Sequence, residues 1–413
     1  MTPFQLLSLL VTLTALLAFV NRRYLRLPTT IGVTVAGLIF SLVLLALGDT
    51  ALPGVPALVH TLAGVKFDEV LFQGLLSFLL FSGALSVNSR ALFAQGGAVV
   101  TFALVSTVLS VGLVGVLVYG LLHLAGLAVS WPLALLFGAI ISPTDPVAVL
   151  DLLKRARVPA RLEALIAGES LFNDGVGVVL FAVLLAVASG GGALSGLEVA
   201  GLFAREALGG VAFGLLLGWL AYRLLRVVDD SVVEVLITLA LVTGGYALAQ
   251  ALHVSGPLAM VVAGLLVGRV TETGVLSETT RPRFEGFWHL TEELLNTGLF
   301  VLIALEVIAV NFSPLSLLLG LICVPIALLA RALSVRLPLL ALRRRYRFSP
   351  FTSRVMTWGG LRGGIAVALA FSVPAGPGRN TLLVLTYVVV VFSIVVQGLS
   401  MERLARRAAE AGE

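Results

Sequence analysis

Charged residues are scarce in this sequence. Asp, Glu, Lys and Arg make up only 12% of its 413 residues, whereas hydrophobic residues make up 59%. A soluble domain carries about twice that fraction of charge. The mean hydropathy is +1.08, and the apolar residues fall in long runs. The composition therefore excludes a soluble globular protein and predicts an all-α polytopic membrane protein.

Cysteine and metal-ligand patterns are also lacking. Cys323 is the single cysteine, so no intrachain disulfide can form. His60, His123, His253 and His289 show no metal-ligand spacing, and we interpret them as interfacial or core residues. The sequence has no phosphate-cradling glycine loop or nucleotide-binding module, which argues against ATP-driven pumping. We expect no resident cofactor and no nucleic-acid partner.

Thirteen apolar segments are long enough to be membrane helices. They lie at about 3–20, 30–47, 68–87, 97–122, 131–151, 163–188, 202–225, 231–251, 255–269, 286–310, 314–340, 351–373 and 380–400. The basic pair Arg22 and Arg23 follows the first segment instead of preceding it. This order indicates a retained first helix rather than a cleaved signal peptide. An odd number of helices places the two termini on opposite sides of the membrane.

The distribution of basic residues predicts the orientation. With the N-terminus outside and the C-terminus cytoplasmic, nearly all of the 27 lysines and arginines fall in cytoplasmic loops. Lys66, Arg205 and Arg379 fall outside, and Arg331 and Arg362 fall within helices. This sidedness predicts a multi-pass protein of the cytoplasmic membrane. The basic loop at 343–347 predicts a contact with membrane lipids.

Gly-Glu-Ser-Leu-Phe-Asn-Asp-Gly, at 168–175, lies inside the sixth apolar segment. A carboxylate at the bilayer midplane costs about 3 kcal/mol, so Glu169 and Asp174 must be compensated. Ser170 and Asp174 are four residues apart and share a helix face. A hydroxyl beside a carboxylate suits a small hard cation. The alternative is that both acids are structural and are satisfied by neighbouring helices.

Two predicted helices contain breaks. The fifth holds Pro-Thr-Asp-Pro at 143–146, and the twelfth holds Gly-Gly-Leu-Arg-Gly-Gly at 359–364. Either could be an ordinary kink or a close-packed glycine face, but interrupted helices in two halves are typical of secondary-transporter binding sites. We expect Asp145 and Arg362 to compensate the dipoles of the half-helices. Arg331 is the natural partner of Glu169, with snorkelling to the cytoplasmic face as its alternative.

Taken together, these motifs resemble one known family. Glu-Ser-Leu-Phe-Asn-Asp at 169–174, Thr-Asp-Pro at 144–146, Trp-Gly-Gly-Leu-Arg-Gly at 358–363 and Ala-Arg at 330–331 are similar to the NhaP-type sodium/proton antiporters. These belong to monovalent cation:proton antiporter family 1, and the resemblance runs over essentially the whole chain. It implies a fold of about thirteen helices with inverted repeats and two crossing broken helices. It also implies a core subdomain (97–188 and 314–400), a dimerisation subdomain (1–90 and 202–310) and a homodimer.

The resemblance also implies the site. Asp174 would carry the ion and the proton, Ser170 and the Thr144 carbonyl would add ligands, and Glu169 and Arg331 would form an ion pair. We include Asp145, Asn173 and Ser82 among the candidate ion- or proton-binding residues. In the family an acidic residue often follows a Leu-Phe pair of the third helix, whereas here Leu80 and Phe81 are followed by Ser82. This departure puts ion selectivity and affinity in question more than the fold.

The sequence thus predicts a secondary antiporter in which Na⁺ and H⁺ compete for Asp174. Because Asn173 rather than a second acid precedes Asp174, we expect electroneutral exchange of one cation for one proton. A K⁺/H⁺ antiporter of the same fold is the main alternative. The sequence does not support a cation channel, because no repeated filter loop is evident. A non-transporting membrane enzyme or scaffold is the alternative from another class, and no catalytic pair indicates it.

Overall fold

The computed structural model describes residues 3–47, 55–145, 147–156, 158–189, 196–346, 348, 351–376 and 378–410. Pro146 and Arg347, which belong to two motifs named above, lie outside these residues. Within the described ranges the regular structure is helical throughout, with no β-strand. The predicted all-α fold is therefore confirmed.

Seventeen helices follow one another along the described chain. They are α1 (Phe4–Leu25), α2 (Thr29–Leu47), α3 (Val55–Ala63), α4 (Phe67–Leu85), α5 (Ser89–Ala94), α6 (Gly96–Leu124), α7 (Trp131–Ile141), α8 (Val147–Ala156), α9 (Ala160–Ala188), α10 (Gly196–Leu225), α11 (Ser231–Ala251), α12 (Gly256–Glu272), α13 (Arg281–Leu305), α14 (Pro314–Leu342), α15 (Thr352–Trp358), α16 (Gly364–Phe371) and α17 (Arg379–Glu410).

Nine of these helices, counted over the described residues, are long and apolar enough to cross a membrane. They are α1, α2, α4, α6, α9, α10, α11, α14 and α17. The other predicted segments correspond to α12, which has 17 residues, to the polar-rich α13, and to the interrupted pairs α7–α8 and α15–α16. The number thirteen therefore stays a prediction, as does the orientation.

The two interrupted helices meet where their regular structure stops. Helix α7 ends at Ile141 and α8 begins at Val147, while α15 ends at Trp358 and α16 begins at Gly364. The Asp145 N–H donates to the Leu361 carbonyl at 2.8 Å, which joins the two non-helical stretches directly. A Cβ atom placed on Gly363 would lie 2.7 Å from Asp145 Cβ, so only glycine permits this approach.

The helices pack in two groups. Helices α6, α7, α9, α14 and α17 pack against one another, as do α4, α10, α11, α12 and α13. Helix α9 connects the groups by packing against α10 and α12, where Gly175 faces Leu258. Between α10 and α12, Gly210, Gly214 and Gly218 recur at intervals of four residues and let the backbones approach closely.

This glycine contact predicts a difference between two alanine variants. A Cβ atom at position 214 would lie 2.6 Å from the Ala259 carbonyl oxygen, whereas one at position 244 meets nothing within 4 Å. Overpacking costs about 1–3 kcal/mol, so Gly214→Ala should lower the thermal unfolding midpoint in detergent. Gly244→Ala is the matched control and should leave it unchanged or raise it. Equal midpoints for the two variants would contradict the α10–α12 packing described here.

Candidate ion-binding site

A cavity of about 640 Å³ reaches the interrupted helices from one end of the protein. At its inner end it is lined by Thr144, Asp145, Asp174 and Gly363. Its outer end is lined by polar and charged side chains of α8, α9 and α13 and of the turn after α4. These include Ser86, Asn88, Lys154, Glu163, His289, Glu292 and Glu293. In the predicted orientation this end faces the cytoplasm.

Helix α9 presents two polar faces. One stripe of this helix lines the cavity and runs from Ala160 through Glu163, Ala167 and Leu171 to Asp174, which lies deepest. Glu169 lies on the other face, buried at 1% exposure. The helical period of 3.6 residues separates these two acids, because positions five apart point in different directions. They therefore belong to different interactions.

Asp174 lies at the inner end of the cavity and is 5% exposed. The charges of Asp145, Glu169 and Arg362 all act on its carboxylate. Ser170, one helical turn before Asp174, is also buried. Carboxylate and hydroxyl oxygens are suitable ligands for a hard cation. The structure thus places the predicted carrier at a position that the cavity reaches.

Glu169 and Arg331 form a two-pronged ion pair inside the protein. The distances from Arg331 Nη1 and Nη2 to the two Glu169 carboxylate oxygens are 2.7 and 2.9 Å. Arg331 Nη2 also donates to the Met356 carbonyl at 3.1 Å, near the end of α15. Asn173 Nδ2 donates to Glu169 Oε1 at 2.9 Å. The pair therefore ties α9 and α14 to the second interrupted helix.

Arg362 lies between the two interruptions. Its Nη1 donates to the carbonyls of Ser142 and Pro143 at 2.6 and 3.1 Å, just past the end of α7. A cation at the carbonyl end of a helix is stabilised by the helix dipole. Asp145 packs against Gly363, immediately before α16 begins. The expected dipole compensation by Arg362 and Asp145 stays a prediction that these contacts allow.

Thr144 is held in place by α9. Its hydroxyl lies 3.0 Å from Ser170 Oγ and accepts from Asn173 Nδ2 at 2.7 Å. Its N–H donates to Asn173 Oδ1 at 3.1 Å. Both ends of the Asn173 amide are therefore used within the protein, to Thr144 and Glu169. The structure thus brings together Thr144, Ser170 and Asn173. Asn173 holds Thr144 in position through these hydrogen bonds.

Ser82, like Ser170 and Asn173, is not among the residues that line the cavity. It is buried, and its hydroxyl donates to the Phe78 carbonyl of its own helix at 2.7 Å. The residues of this helix that line the cavity include Leu76, Leu79, Leu80 and Gly83. Ser82 lies to the side of that stripe, so it is not adjacent to Asp174 across the cavity.

Three polar residues around the interruptions were missed by the sequence analysis. Ser393 Oγ accepts from the Arg362 N–H at 2.8 Å, and Gln397 Nε2 donates to the Trp358 carbonyl at 2.9 Å. Ser142 supplies a carbonyl to Arg362. Ser393 and Gln397 are polar side chains in the apolar α17. Polar side chains in an apolar helix indicate that each one satisfies a buried group, so both residues could have been predicted from the sequence.

The buried ion pair predicts a large loss of stability. Removing one partner of such a pair costs about 3–5 kcal/mol, so Glu169→Ala and Arg331→Ala should each lower the thermal midpoint in detergent markedly. The control is Glu402→Ala, which removes an exposed pair with Arg406 at 2.6 Å and should cost at most about 1 kcal/mol. Midpoints for the two buried variants that equal that of Glu402→Ala would rule out the structural role. Exchanging Glu169 and Arg331 should recover little stability, because Asn173 and Met356 also bond to the pair.

Comparison with known proteins shows the family of this chain. The family model for the transmembrane sodium/hydrogen exchanger matches residues 9–407. The chain is 43% identical over 408 residues to the Na⁺/H⁺ antiporter NhaP of Pseudomonas aeruginosa, covering 98% of this chain and 96% of that one. It is 33% identical to the Na⁺/H⁺ antiporter NhaH of Halobacillus dabanensis, covering 98% and 97%.

The fold has a counterpart of known structure. The sodium proton antiporter MjNhaP1 from Methanocaldococcus jannaschii, at pH 8, superposes with a TM-score of 0.77 at 20% identity, covering 99% of each chain. The predicted family resemblance and antiporter fold are thereby confirmed. The matched family consists of transporters, which rules out the membrane-enzyme alternative. The chain belongs to the transmembrane sodium/hydrogen exchanger family.

Proposed function

We propose that this protein exchanges Na⁺ for H⁺ across the cytoplasmic membrane, with Asp174 binding each in turn. The observation that carries the proposal is the position of Asp174, a buried carboxylate at the inner end of a cavity beside Ser170 and Thr144. We propose Asp174, Ser170 and Thr144 as the residues that hold the cation. Na⁺ and H⁺ are transported species, and no resident cofactor enters the scheme.

The charges around the site explain why Asp174 is the carrier. Glu169 and Arg331 neutralise each other through two hydrogen bonds. Asp145 and Arg362 are of opposite sign and compensate the ends of the interrupted helices. The negative charge of Asp174 then remains, and either a cation or a proton neutralises it. An isolated charge at this depth is costly, so the site favours one occupant at a time.

This charge balance supports electroneutral exchange. The occupied site carries the same net charge whether Asp174 binds Na⁺ or a proton. Asn173, which precedes Asp174, adds no second titrating acid. One Na⁺ would therefore be exchanged for one H⁺, and the gradients of the two ions would drive transport. Exchange measured with the membrane potential clamped at two values should then proceed at equal rates.

Alternating access would come from movement of one group of helices against the other. We propose that 97–188 and 314–400 form the mobile core and that 1–90 and 202–310 form the dimerisation subdomain of a homodimer. The two packing groups support this division. With the N-terminus outside and the C-terminus cytoplasmic, the cavity opens inward. The core would then carry Asp174 past the fixed helices to open it outward.

K⁺ in place of Na⁺ is the second candidate. The names of the two relatives described above support Na⁺. Ser82, which stands where the resembling family often has an acidic residue, is not among the cavity-lining residues, and we include it in neither ligand set. Vesicles loaded with a pH-sensitive dye and given each cation in turn would distinguish the two candidates. A response to K⁺ that exceeds the response to Na⁺ would favour the alternative.

The assignment of Asp174 predicts the loss of exchange in Asp174→Asn. The amide has nearly the same shape but cannot take up and release a proton at neutral pH. Exchange measured with the dye-loaded vesicles should fall to the level of protein-free vesicles, while the thermal midpoint stays near that of the wild type.

Glu163→Gln provides a matched control for that variant. Glu163 lies on the same stripe of α9 but pairs with Lys154 at 3.9 Å near the outer end of the cavity. This variant should retain most of the exchange. Cation-dependent proton movement that survives in Asp174→Asn would contradict the assignment.

A further inference from the structure

We propose that Glu292, Asn296 and Ser86 form a second cation site in the outer part of the cavity. The transported monovalent cation would occupy this antechamber site on its way between the cytoplasm and Asp174. The inference rests on the proposed function, because it concerns the same cation and the same cavity. It assigns a binding role to α13, which supplies none of the candidate ligands around Asp174.

Helix α13 lines the cavity with one stripe. Glu292, Asn296 and Leu299 follow one another at intervals of four and three residues and therefore lie on one face. A Cβ atom placed on Gly364 would lie 2.5 Å from Leu299 Cδ1, so this stripe reaches the second interruption. At 1.5 Å per residue, Asn296 and Glu292 lie about 4.5 and about 10 Å further out along the helix. The stripe thus leads from the outer end of the cavity to the level of the carrier.

The side chain of Asn296 supports a ligand most directly. Asn296 is only 5% exposed and lines the cavity. Among the residues that the structure describes, its amide has no hydrogen-bond partner, in contrast to the amide of Asn173. The amide faces the cavity, where its oxygen is available as a ligand for a hard cation.

Ser86 and Glu292 provide the other oxygens. Ser86 Oγ lies 2.9 Å from the Ser82 carbonyl and 3.1 Å from Glu292 Oε2. A serine hydroxyl has one proton, so it can donate to only one of these acceptors at a time. When it donates to the Ser82 carbonyl, the Ser86 oxygen and the Glu292 oxygen 3.1 Å away are both free to coordinate a cation.

Of the charged residues nearby, Glu292 is the one placed to bind the cation. Lys154 lies across the cavity, where its charge acts on Glu292, but it pairs with Glu163 at 3.9 Å. His289 lies 4.0 Å from Glu293, and both of these side chains are more than half exposed. Glu292 lines the same cavity but is half-buried. A mobile cation is therefore a suitable counter-ion for Glu292.

The test uses two variants that weaken the antechamber site in different ways. Asn296→Leu removes the amide without changing the charge, and Glu292→Gln removes the charge without changing the shape. Each should raise the Na⁺ concentration for half-maximal exchange by about tenfold, equivalent to about 1.4 kcal/mol per site. Maximal exchange at saturating Na⁺ should be retained. The effect should appear when Na⁺ is added on the cytoplasmic side.

Glu293→Gln is the matched control, because Glu293 is the neighbouring acid at the outer end of the cavity and its side chain is 67% exposed. Its half-saturation should stay within about twofold of the wild type, since exposed charges are screened by salt. If Asn296→Leu leaves half-saturation unchanged while both Gln variants raise it equally, the acids act only as a diffuse negative charge. That result would overturn the antechamber site.

A binding measurement separates this inference from the proposed function. In Asp174→Asn protein in detergent, NaCl should raise the thermal midpoint relative to choline chloride at equal ionic strength. The rise should be lost when Asn296→Leu is added to Asp174→Asn. If Asp174→Asn abolishes exchange but NaCl no longer stabilises that variant, the antechamber site is wrong and the carrier assignment stands. If Asp174→Asn still exchanges Na⁺ for H⁺, the proposed function itself fails.

Discussion

The buried ion pair between Glu169 and Arg331 holds together the elements that form the site. Arg331 crosses from α14 to Glu169 on α9 and to the Met356 carbonyl near the end of α15. Asn173 then links Glu169 to Thr144 in the first interruption. Two charges in the membrane are tolerable only when they satisfy each other and their remaining hydrogen bonds. Because this condition is met, two interrupted helices can be held beside a third helix at a fixed distance.

The interruptions and the charges depend on each other. Where a helix stops inside the membrane, its last carbonyls and first N–H groups need partners. Arg362, Gln397 and Ser393 satisfy groups of the two non-helical stretches, and the Asp145 N–H joins one stretch to the other. With those demands met, Asp174 lies at the inner end of the cavity, where we propose that a mobile ion balances its charge. The proposed carrier thus depends on the compensation of Glu169, Arg331 and Arg362 around it.

The sequence was sufficient to predict those features that are energetically costly inside a membrane. An ionisable side chain or a pair of prolines in an apolar run is expensive, so its presence indicates a partner or a cavity. On this basis Glu169 and Arg331 could be paired, and Asp174 and Arg362 could be identified as buried charges with a role. The interrupted helices were recognisable for the same reason. Such arguments need no knowledge of which helices are neighbours.

The direction in which a polar side chain points could not be predicted in this way. Ser82 can satisfy its hydroxyl on its own helix, so its residue type does not reveal whether it faces the cavity. Asn296 and Glu292 make α13 too polar to be one of the nine apolar spans among the described residues. These two residues are polar because they line the cavity. Only the packing of α13 against α4 and α16 makes that visible.

The central claim is that one carboxylate, Asp174, binds either a cation or a proton. Its most direct test is the release of protons when Na⁺ is added to the purified protein in weakly buffered detergent solution at the acidic end of its active range. We expect about one proton per chain to be released from the wild type and none from Asp174→Asn, because a single titrating group cannot hold both ions. Release that persists in Asp174→Asn, or no release from a wild-type protein that exchanges Na⁺, would contradict the account.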